Sequence, residues 1–237
     1  MSIDDPAGKF NGKELEYISE FLDSECKNSD LSWVQRFEEQ VSNKVGVKFA
    51  VACNSGTSAL HIAIKLAGVK SDDEVIVPSL TFAATANAII YNQAKPIFFN
   101  CDKYLNINIK DDEDFIKKNT YFKNGKKINK KTGKKISAII PVHMYRNASD
   151  IFKIQNLLRN RKITIIEDAA ESLGTKYLQS IYKSKFTGTI GSLGVFSFNA
   201  NKIITSGSGG MIITNNSKLA ERAKLITNQA KKSEFEY

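Results

Sequence analysis

The sequence has 237 residues, 42% of them hydrophobic, which is enough to bury the core of one large domain or two small ones. Its 34 Lys and Arg residues exceed its 25 Asp and Glu residues, and the formal charge of +9 makes nucleic acid a partner to consider. No apolar run approaches the roughly 20 residues that cross a bilayer, and the polar start at residues 1–5 is no signal peptide, so we expect a cytoplasmic protein with no membrane partner.

The cysteines agree with this expected location. Cys26, Cys53 and Cys101 are odd in number and widely spaced, with no CxxC pair and no histidine cluster around them. We therefore expect reduced thiols and no metal site.

Much of the positive charge lies in one polar, lysine-rich segment at about residues 117–135. The segment contains Asn124-Gly125, a turn signal that is typical of a solvated hairpin or loop. Because no recognition-helix or RNA-platform pattern accompanies it, we expect no nucleic-acid partner. A basic surface would also attract an anionic small-molecule substrate, so the charge alone does not separate these two possibilities.

Two amphipathic helices are predicted at the start of the chain. Apolar residues recur at helical spacing within residues 11–25 and again from Trp33 to Val45. After them, apolar runs alternate with helical patterns. The runs predict strands at residues 49–53, 74–78, 96–99, 136–142 and 163–166. The helical patterns cover residues 59–66, 82–91 and 149–160.

These strand runs are continuously apolar, which is typical of strands covered on both faces of a parallel sheet. Helices between successive strands predict an α/β fold. In such a sheet, ligands gather at the carboxyl ends of the strands. The predicted strands are followed there by residues 54–58, 78–82, 141–145 and 167–168.

Each of these strand ends admits a structural and a functional interpretation. The small-residue turn at 54–58 precedes a helix, so its N–H groups could bind a phosphate, or Ser55, Thr57 or Ser58 could be an ordinary N-cap. Asp168 could bind a ligand at the sheet edge or cap the next helix.

Two further residues at the strand ends carry the same ambiguity. Phe82 could face the same rim or belong to the core, and His143 could carry a proton or be a satisfied buried histidine.

Lys202 is predicted to lie at a turn between two short buried strands. Val195, Phe196 and Phe198 indicate the first strand and residues 211–213 the second, with a glycine-rich reversal at 207–210 before it. Burial disfavours a charged ammonium, so Lys202 could offer a neutral amine that attacks a carbonyl carbon. The alternative is a lysine that extends to solvent from a loop.

Taken together, these residues meet the requirements of pyridoxal 5′-phosphate. This cofactor needs a lysine for its aldehyde, a carboxylate for its pyridine nitrogen, a phosphate cradle and a flat side chain against its ring. Lys202, Asp168, the turn from Gly56 to Ser58, and Phe82 supply these four parts.

Five stretches, in this order, resemble motifs of the DegT/DnrJ/EryC1/StrS family of sugar aminotransferases: residues 54–61, 77–82, 141–145, 166–172 and 196–202. The resemblance implies an α/β fold, the large domain of fold type I pyridoxal-phosphate-dependent transferases, with a mostly parallel seven-stranded sheet between helices. It also implies N-terminal helices over 1–45 and a cofactor-binding large domain over 46–237, with the lysine-rich segment as an insert.

The resemblance assigns a role to each candidate site residue. Lys202 would be the Schiff-base lysine and the base that moves the proton during catalysis, and Asp168 would hold the pyridine nitrogen. Phe82 would stack on the ring. Glu171 would lie near the phenolic oxygen, where members commonly have glutamine or histidine. The phosphate would be bound by Gly56, Thr57, Ser58 and Ser197.

The implied reaction transfers an amino group, typically from glutamate, to a 4-keto nucleotide-linked sugar for cell-surface glycans, in a homodimer. The wording of residues 199–205 and the insert resemble the branch that aminates UDP-linked 4-keto-N-acetyl sugars on the way to bacillosamine or legionaminic acid. A dehydratase relative has histidine in place of the lysine, so Lys202 excludes that reading.

Two departures from the family pattern limit the resemblance. Arg146 stands where members usually have glycine, and we expect it to alter a strand-end turn near the site. Family members also continue into a smaller C-terminal domain, so we expect a truncated chain. The alternative function is therefore a catalytically impaired remnant that binds pyridoxal phosphate or dimerises without turnover.

Overall fold

A computed structural model describes residues 12–24, 32–159 and 162–230. Its centre is a seven-stranded sheet in the order β1-β9-β8-β7-β6-β2-β3. The strands are β1 Phe49–Cys53, β2 Glu74–Pro78, β3 Lys95–Phe99, β6 Ile136–Ile139, β7 Thr164–Asp168, β8 Leu193–Ser197 and β9 Gly210–Thr214. Only β9 pairs antiparallel, with both of its neighbours, and every other pair is parallel. The predicted mostly parallel α/β sheet is confirmed.

Helices occupy both sides of this sheet and its edge. They are α1 Glu14–Ser24, α2 Ser32–Val45, α3 Gly56–Leu66, α4 Ala83–Tyr91, α5 Ile109–Lys118, α6 Ile151–Leu158 and α7 Ser217–Thr227. The sequence patterns predicted all of these except α5 and α7. No helix among the described residues is long and apolar enough to span a membrane. The division of the chain at residue 45 stays a prediction, although α2 packs on β1.

Alternate residues of each central strand enter different cores, as the continuous apolar runs predict. In β2, Val75 and Val77 pack in the core that contains α3 and α4, whereas Ile76 packs in the core that contains α6. The same alternation in β7 sends the Glu167 and Asp168 side chains to opposite faces of the sheet. This places two adjacent carboxylates in two different environments.

The lysine-rich segment forms a hairpin, which confirms the predicted hairpin or loop. Its strands are β4 Thr120–Lys123 and β5 Lys126–Asn129, and they pair antiparallel outside the main sheet. Asn124 and Gly125 form the two-residue turn with φ of 51° and 71°, the left-handed values that a type I′ turn requires. Cys53 and Cys101 are free thiols, while Cys26 lies outside the described residues.

Candidate active site

A cavity of about 190 Å³ lies at the carboxyl ends of β2, β6, β7 and β8. It is lined by seven of the eight residues that the sequence analysis singled out for the cofactor: Gly56, Thr57, Phe82, Asp168, Glu171, Ser197 and Lys202. Segments far apart in the chain meet here because every parallel strand directs its following loop to the same edge of the sheet. The eighth residue, Ser58, does not line the cavity.

Ser58 instead takes part in the N-terminal cap of α3. Its backbone N–H donates to Ser55 Oγ at 3.1 Å, and the two hydroxyl oxygens lie 3.0 Å apart. Ser55 is therefore the N-cap, and its side chain lines the cavity in place of Ser58. Both predicted roles of the turn are therefore present, in different residues. Ser55 caps the helix, whereas Gly56 and Thr57 face the cavity, where a phosphate could bind.

Glycines bring the start of α3 against β8 and β9. A Cβ on Gly56 would lie 2.9 Å from the Ser197 Cβ, and one on Gly210 would lie 2.2 Å from the Ser55 carbonyl oxygen. Neither position has room for a side chain. The helix N-terminus, with its free N–H groups, consequently lies directly beside the Ser197 hydroxyl at the cavity wall.

Lys202 lies in the turn between β8 and β9, as predicted, and its side chain is only 13% exposed. Its backbone N–H donates to the Asn199 carbonyl at 2.9 Å. The ammonium lies 3.3 Å from Glu171 Oε1 and 5.6 Å from the centre of the Phe82 ring. The side chain is thus directed into the cavity, between an acid and an aromatic face.

Asp168 ends β7 and is almost fully buried at the cavity floor. Thr85 of α4 donates its hydroxyl to Asp168 Oδ2 at 2.7 Å, and the Ala170 N–H donates to Oδ1 at 3.1 Å. Burial raises the pKa of the Asp168 carboxyl, although these hydrogen bonds lower it and the charge of Lys202 acts in the same direction. A cationic donor in the cavity would supply the stabilisation that this carboxylate lacks.

Glu167 lies on the opposite face and is completely buried with His143. Burial would raise its pKa, but hydrogen bonds from His143 and from the N–H groups of Gly191 and Gly188 outweigh burial and hold the pKa below its usual range. His143 Nδ1 accepts the Ser149 N–H at 3.0 Å, so Nε2 carries the proton and donates to Glu167 at 2.9 Å. His143 is accordingly a satisfied buried histidine.

Glu171 connects the site to the loop after β6. Besides its contact with Lys202, its Oε2 accepts the Tyr145 N–H at 3.3 Å. Tyr145 and Arg146 have φ of 47° and 70°, both in the left-handed region that favours glycine. The position where the sequence departs from the family's glycine is therefore one whose backbone suits glycine.

Several cavity residues were not singled out from the sequence. They are Thr81, Thr85, Asn199, Asn201 and Ser208. Thr85 contacts Asp168 directly, and the only sequence signal for it is its spacing of four residues from Thr81. In the structure the two hydroxyls lie 2.8 Å apart. Which acid a helical hydroxyl reaches depends on helix packing, which the sequence pattern does not contain.

Comparison with known proteins gives one family for nearly the whole chain. The model of the DegT/DnrJ/EryC1/StrS aminotransferase family matches residues 9–237. Aminotransferases of this family depend on pyridoxal phosphate, which confirms the predicted cofactor.

The residues of the cavity fit this cofactor. The buried amine of Lys202 and the buried carboxylate of Asp168 face the same cavity. Burial raises the pKa of this carboxyl, so a cationic donor would stabilise its charged form. At the helix N-terminus beside Ser197, position 56 has room only for glycine. The exposed face of Phe82 lies next to the amine. The donor set thus matches an anionic group joined to a flat, basic ring.

Some of the similar proteins are nucleotide-sugar enzymes by name. GDP-perosamine synthase of Escherichia coli O157:H7 is 38% identical over 89% of this chain and 52% of its own length. UDP-4-amino-4,6-dideoxy-N-acetyl-beta-L-altrosamine transaminase of Campylobacter jejuni is 36% identical over 81% of this chain and 46% of its own length. The chain therefore spans about half the length of the curated relatives it matches.

A solved structure agrees with the fold. The aminotransferase from Psychrobacter cryohalolentis superposes with a TM-score of 0.79 at 26% identity, over 94% of this chain and 52% of that one. The fold of pyridoxal-phosphate-dependent aminotransferases predicted from the motifs is thereby confirmed. The chain belongs to the DegT/DnrJ/EryC1/StrS aminotransferase family.

Proposed function

We propose that this chain is the cofactor-binding part of an aminotransferase that moves an amino group from an amino acid, glutamate in our proposal, to the 4-keto carbon of a nucleotide-linked sugar. The observation that carries the proposal is the shared cavity of Lys202 and Asp168, with the Phe82 ring beside the amine. The names of the two relatives described above support a nucleotide-sugar substrate. The alternative of a remnant without turnover is not favoured by relatives that are named for their enzymatic activity.

Each cavity residue has a distinct task in this proposal. When bound, the cofactor supplies an aldehyde and an electron-withdrawing ring that stabilises negative charge at the substrate carbon. Lys202 offers its amine to the aldehyde and, once released, moves the proton at the reacting carbon. Asp168 holds the pyridine nitrogen protonated, and Thr85 fixes the orientation of its carboxylate.

Glu171 is positioned to accept the proton of Lys202. A lysine attacks a carbonyl only as the neutral amine, so its proton must move to a neighbouring group or to solvent. Glu171 Oε1 lies 3.3 Å from the Lys202 ammonium, and the Tyr145 N–H keeps the carboxylate directed toward it. We also expect Glu171 to lie near the phenolic oxygen of the cofactor.

The phosphate of the cofactor would lie at the N-terminus of α3. Free N–H groups and the positive end of the helix dipole favour an anion there, and the hydroxyls of Thr57 and Ser197 line the same wall. Ser58 would act indirectly, through its hydrogen bonds with the Ser55 cap. The absence of a side chain at Gly56 keeps the N–H groups accessible.

The substrate branch, the location and the assembly are also part of the proposal. The wording of residues 199–205 favours a UDP-linked 4-keto-N-acetyl sugar used in cell-surface glycans. The cytoplasm is the proposed location. Large apolar side chains are exposed on the loops that line the cavity. Phe82, which lines it, is 66% exposed, Tyr145, next to the lining residue Met144, is 69% exposed, and Ile204, two residues after Lys202, is 57% exposed. A second subunit of a homodimer would cover these apolar side chains.

An absorption spectrum of the purified chain with added pyridoxal phosphate tests the proposal. We expect a visible band, absent from the free cofactor, that persists after gel filtration. It should be lost in Lys202→Ala and kept in Lys103→Ala, which removes an exposed lysine outside the cavity. Identical spectra for the parent and Lys202→Ala would contradict the assignment of Lys202.

A separate assay tests the reaction. The chain should convert glutamate to 2-oxoglutarate only when a 4-keto nucleotide sugar is present, with a UDP-linked substrate preferred over a GDP-linked one. Cofactor binding without turnover on either substrate would favour the remnant.

A further inference from the structure

The lysine-rich segment takes no part in the proposed cofactor site, yet the fold presents it as a separate surface. We call residues 120–129, which comprise β4, β5 and their turn, the basic hairpin. Every residue from 121 to 126 is exposed, so the tip projects from the molecule. Residues 117–135 contain nine lysines and no acidic residue.

The basic hairpin and the cavity lie at opposite edges of the sheet. The N–H of Glu74, the first residue of β2, donates at 2.7 Å to the carbonyl of Lys135, which closes the lysine-rich segment. The segment thus adjoins the amino-terminal end of β2, whereas the cavity lies at the carboxyl ends of the strands. A partner bound to the basic hairpin would leave the cavity open.

The lysines differ in how far their charge is neutralised. Those at the base pair with carboxylates, in the pairs Lys117–Glu113, Lys118–Asp114, Lys134–Asp72 and Lys135–Asp73. At the tip, Lys123 and Lys126 lie opposite each other across the two strands, and neither has an ion-pair partner among the side chains that the structure describes. Like charges directly opposite each other on two strands are destabilising, so a bound anion would stabilise this pair of lysines.

A second element adds positive charge at the same place. Lys162, in the loop before β7, has its Nζ 3.3 Å from the position that a Cβ on Gly125 would occupy. Its ammonium therefore lies against the hairpin turn. Three cationic groups from two separate parts of the chain, Lys123, Lys126 and Lys162, are thus gathered around one exposed tip.

Exposed aromatic rings lie next to these charges. Tyr121 is 40% exposed and Phe122 is 50% exposed, and both immediately precede Lys123 in β4. Lys127 places its Nζ 4.7 Å from the centre of the Phe122 ring. Aromatic rings beside lysines are the combination found where proteins meet the headgroup region of a membrane.

We propose that the basic hairpin is a peripheral docking site for an anionic phospholipid bilayer. Lys123, Lys126 and Lys162 would contact the headgroup phosphates, while Tyr121 and Phe122 would enter the interface. A projecting tip suits a flat surface, whereas single-stranded nucleic acid is held in a groove with stacking platforms. The expectation of no membrane partner rested on the lack of a membrane-spanning segment. Peripheral docking requires no such segment, so that expectation does not argue against this proposal.

The test is sedimentation of the chain with vesicles of phosphatidylcholine, with and without about one third phosphatidylserine, at about 0.1 M and about 0.5 M salt. We expect binding to the anionic vesicles alone, and loss of that binding at the higher salt. Each lysine near the surface contributes a factor of about five, so Lys123→Gln with Lys126→Gln should weaken binding about 25-fold.

A matched control removes the same charge elsewhere. Lys103→Gln with Lys110→Gln neutralises two exposed lysines that follow the carboxyl end of β3, and vesicle binding should stay within about two-fold of the parent. In Phe122→Trp, tryptophan emission should shift to shorter wavelength when anionic vesicles are added, above the background from Trp33 in the parent chain. This readout reports where the ring lies and does not depend on charge.

Three results would overturn the proposal. The first is absence of sedimentation with anionic vesicles at the lower salt. The second is an equal loss of binding in the control variant, which would indicate net charge without a specific surface. The third is tighter binding of single-stranded RNA than of vesicles, lost in Lys123→Gln with Lys126→Gln, which would assign the basic hairpin to nucleic acid. None of these depends on the cofactor site.

Discussion

Glu167 and Asp168 are neighbours on β7, and both are buried, but they lie on opposite faces of the sheet and meet different surroundings. Among the described residues, Glu167 accepts hydrogen bonds from five donors: His143, Tyr177, Gly188, Ile190 and Gly191. Within the same part of the chain Asp168 accepts two, from Thr85 and Ala170. Consequently the pKa of Glu167 is held low, while burial raises that of Asp168.

One strand thus combines a structural acid with a functional one. A carboxylate that the chain itself satisfies has no capacity left for a ligand, and it joins β7 to the segments around residues 143 and 188–191. A carboxylate that the chain leaves short of donors is less stable in the free protein and gains from a cationic ligand. Both residues carry a carboxylate, so the number of hydrogen-bond donors around each one decides whether its role is structural or functional.

The largest effect is expected from removal of the satisfied acid. Glu167→Ala leaves three backbone N–H groups, the His143 ring and the Tyr177 hydroxyl without a buried acceptor, so the free energy of unfolding should fall by about 3–5 kcal/mol. Urea unfolding of the chain without cofactor measures it. Glu221→Ala, which removes an exposed glutamate of α7, should change it by less than about 0.5 kcal/mol.

A loss of stability for Glu167→Ala no larger than that of the Glu221→Ala control would contradict the structural role of Glu167. It would mean that the hydrogen bonds to Glu167 are replaced by water at little cost. Tyr177→Phe gives an intermediate check, because it removes one donor and should cost about 1 kcal/mol.

The second prediction concerns the acid that lacks donors. Asp168→Asn removes the burial penalty of a carboxylate, so the unfolding free energy of the cofactor-free chain should rise by about 1–2 kcal/mol at neutral pH. Pyridoxal phosphate retention should fall at the same time, because an amide cannot keep the pyridine nitrogen protonated. Stability and retention of the cofactor should therefore move in opposite directions in this variant.

The pH dependence of this gain has a definite sign. In the folded chain the pKa of Asp168 is raised above the ordinary value of 3.8, so the parent binds more protons folded than unfolded between those two values, and its stability falls as the pH rises through the folded pKa. The advantage of Asp168→Asn should thus be small below pH 3.8, grow as the pH rises and level off above the folded pKa. An advantage that shrinks with rising pH would refute the raised pKa.

The sequence was sufficient for the sheet and for most of the residues that meet in the cavity. Continuous apolar runs indicated the strands, and the rule for carboxyl strand ends selected residues 54–58, 78–82, 141–145 and 167–168. The requirements of the cofactor then added Lys202. The donors to Asp168 and Glu167 were not predictable in this way. Thr85, Tyr177 and the N–H groups of 188–191 reach their acids through helix packing and loop conformation, which leave no periodic pattern.

The two missed helices differ. α5 carries four consecutive acidic residues at 111–114, and its only apolar residues are Ile109, Phe115 and Ile116. In α7, by contrast, Leu219, Ala220, Ala223 and Ile226 recur at helical spacing and are buried or pack on the core, so the pattern was present in the sequence. Arg146 shows the reverse case, because the departure from the family's glycine indicated an altered strand-end turn, and the backbone there is left-handed.

That position gives the smallest predicted effect. Arg146 has a φ of 70°, which costs a residue with a Cβ about 1 kcal/mol, partly offset in the glycine variant by the greater freedom of the unfolded chain. Arg146→Gly should therefore raise the unfolding free energy by about 0.5 kcal/mol, measured by urea unfolding. Arg159→Gly is the matched control, since Arg159 has a φ of −49° and glycine there should destabilise by a similar amount.

Arg146→Ala separates backbone from charge, because alanine removes the guanidinium and keeps the strain. It should bring no gain in stability, and a gain equal to that of Arg146→Gly would assign the effect to charge. The turn also bears on the comparison of acids, since the Tyr145 N–H that it presents is one of the two donors to Glu171. If Arg146→Gly stabilises the chain and cofactor retention is unchanged, the backbone strain is confined to the turn, and the hydrogen bond from the Tyr145 N–H to Glu171 is preserved.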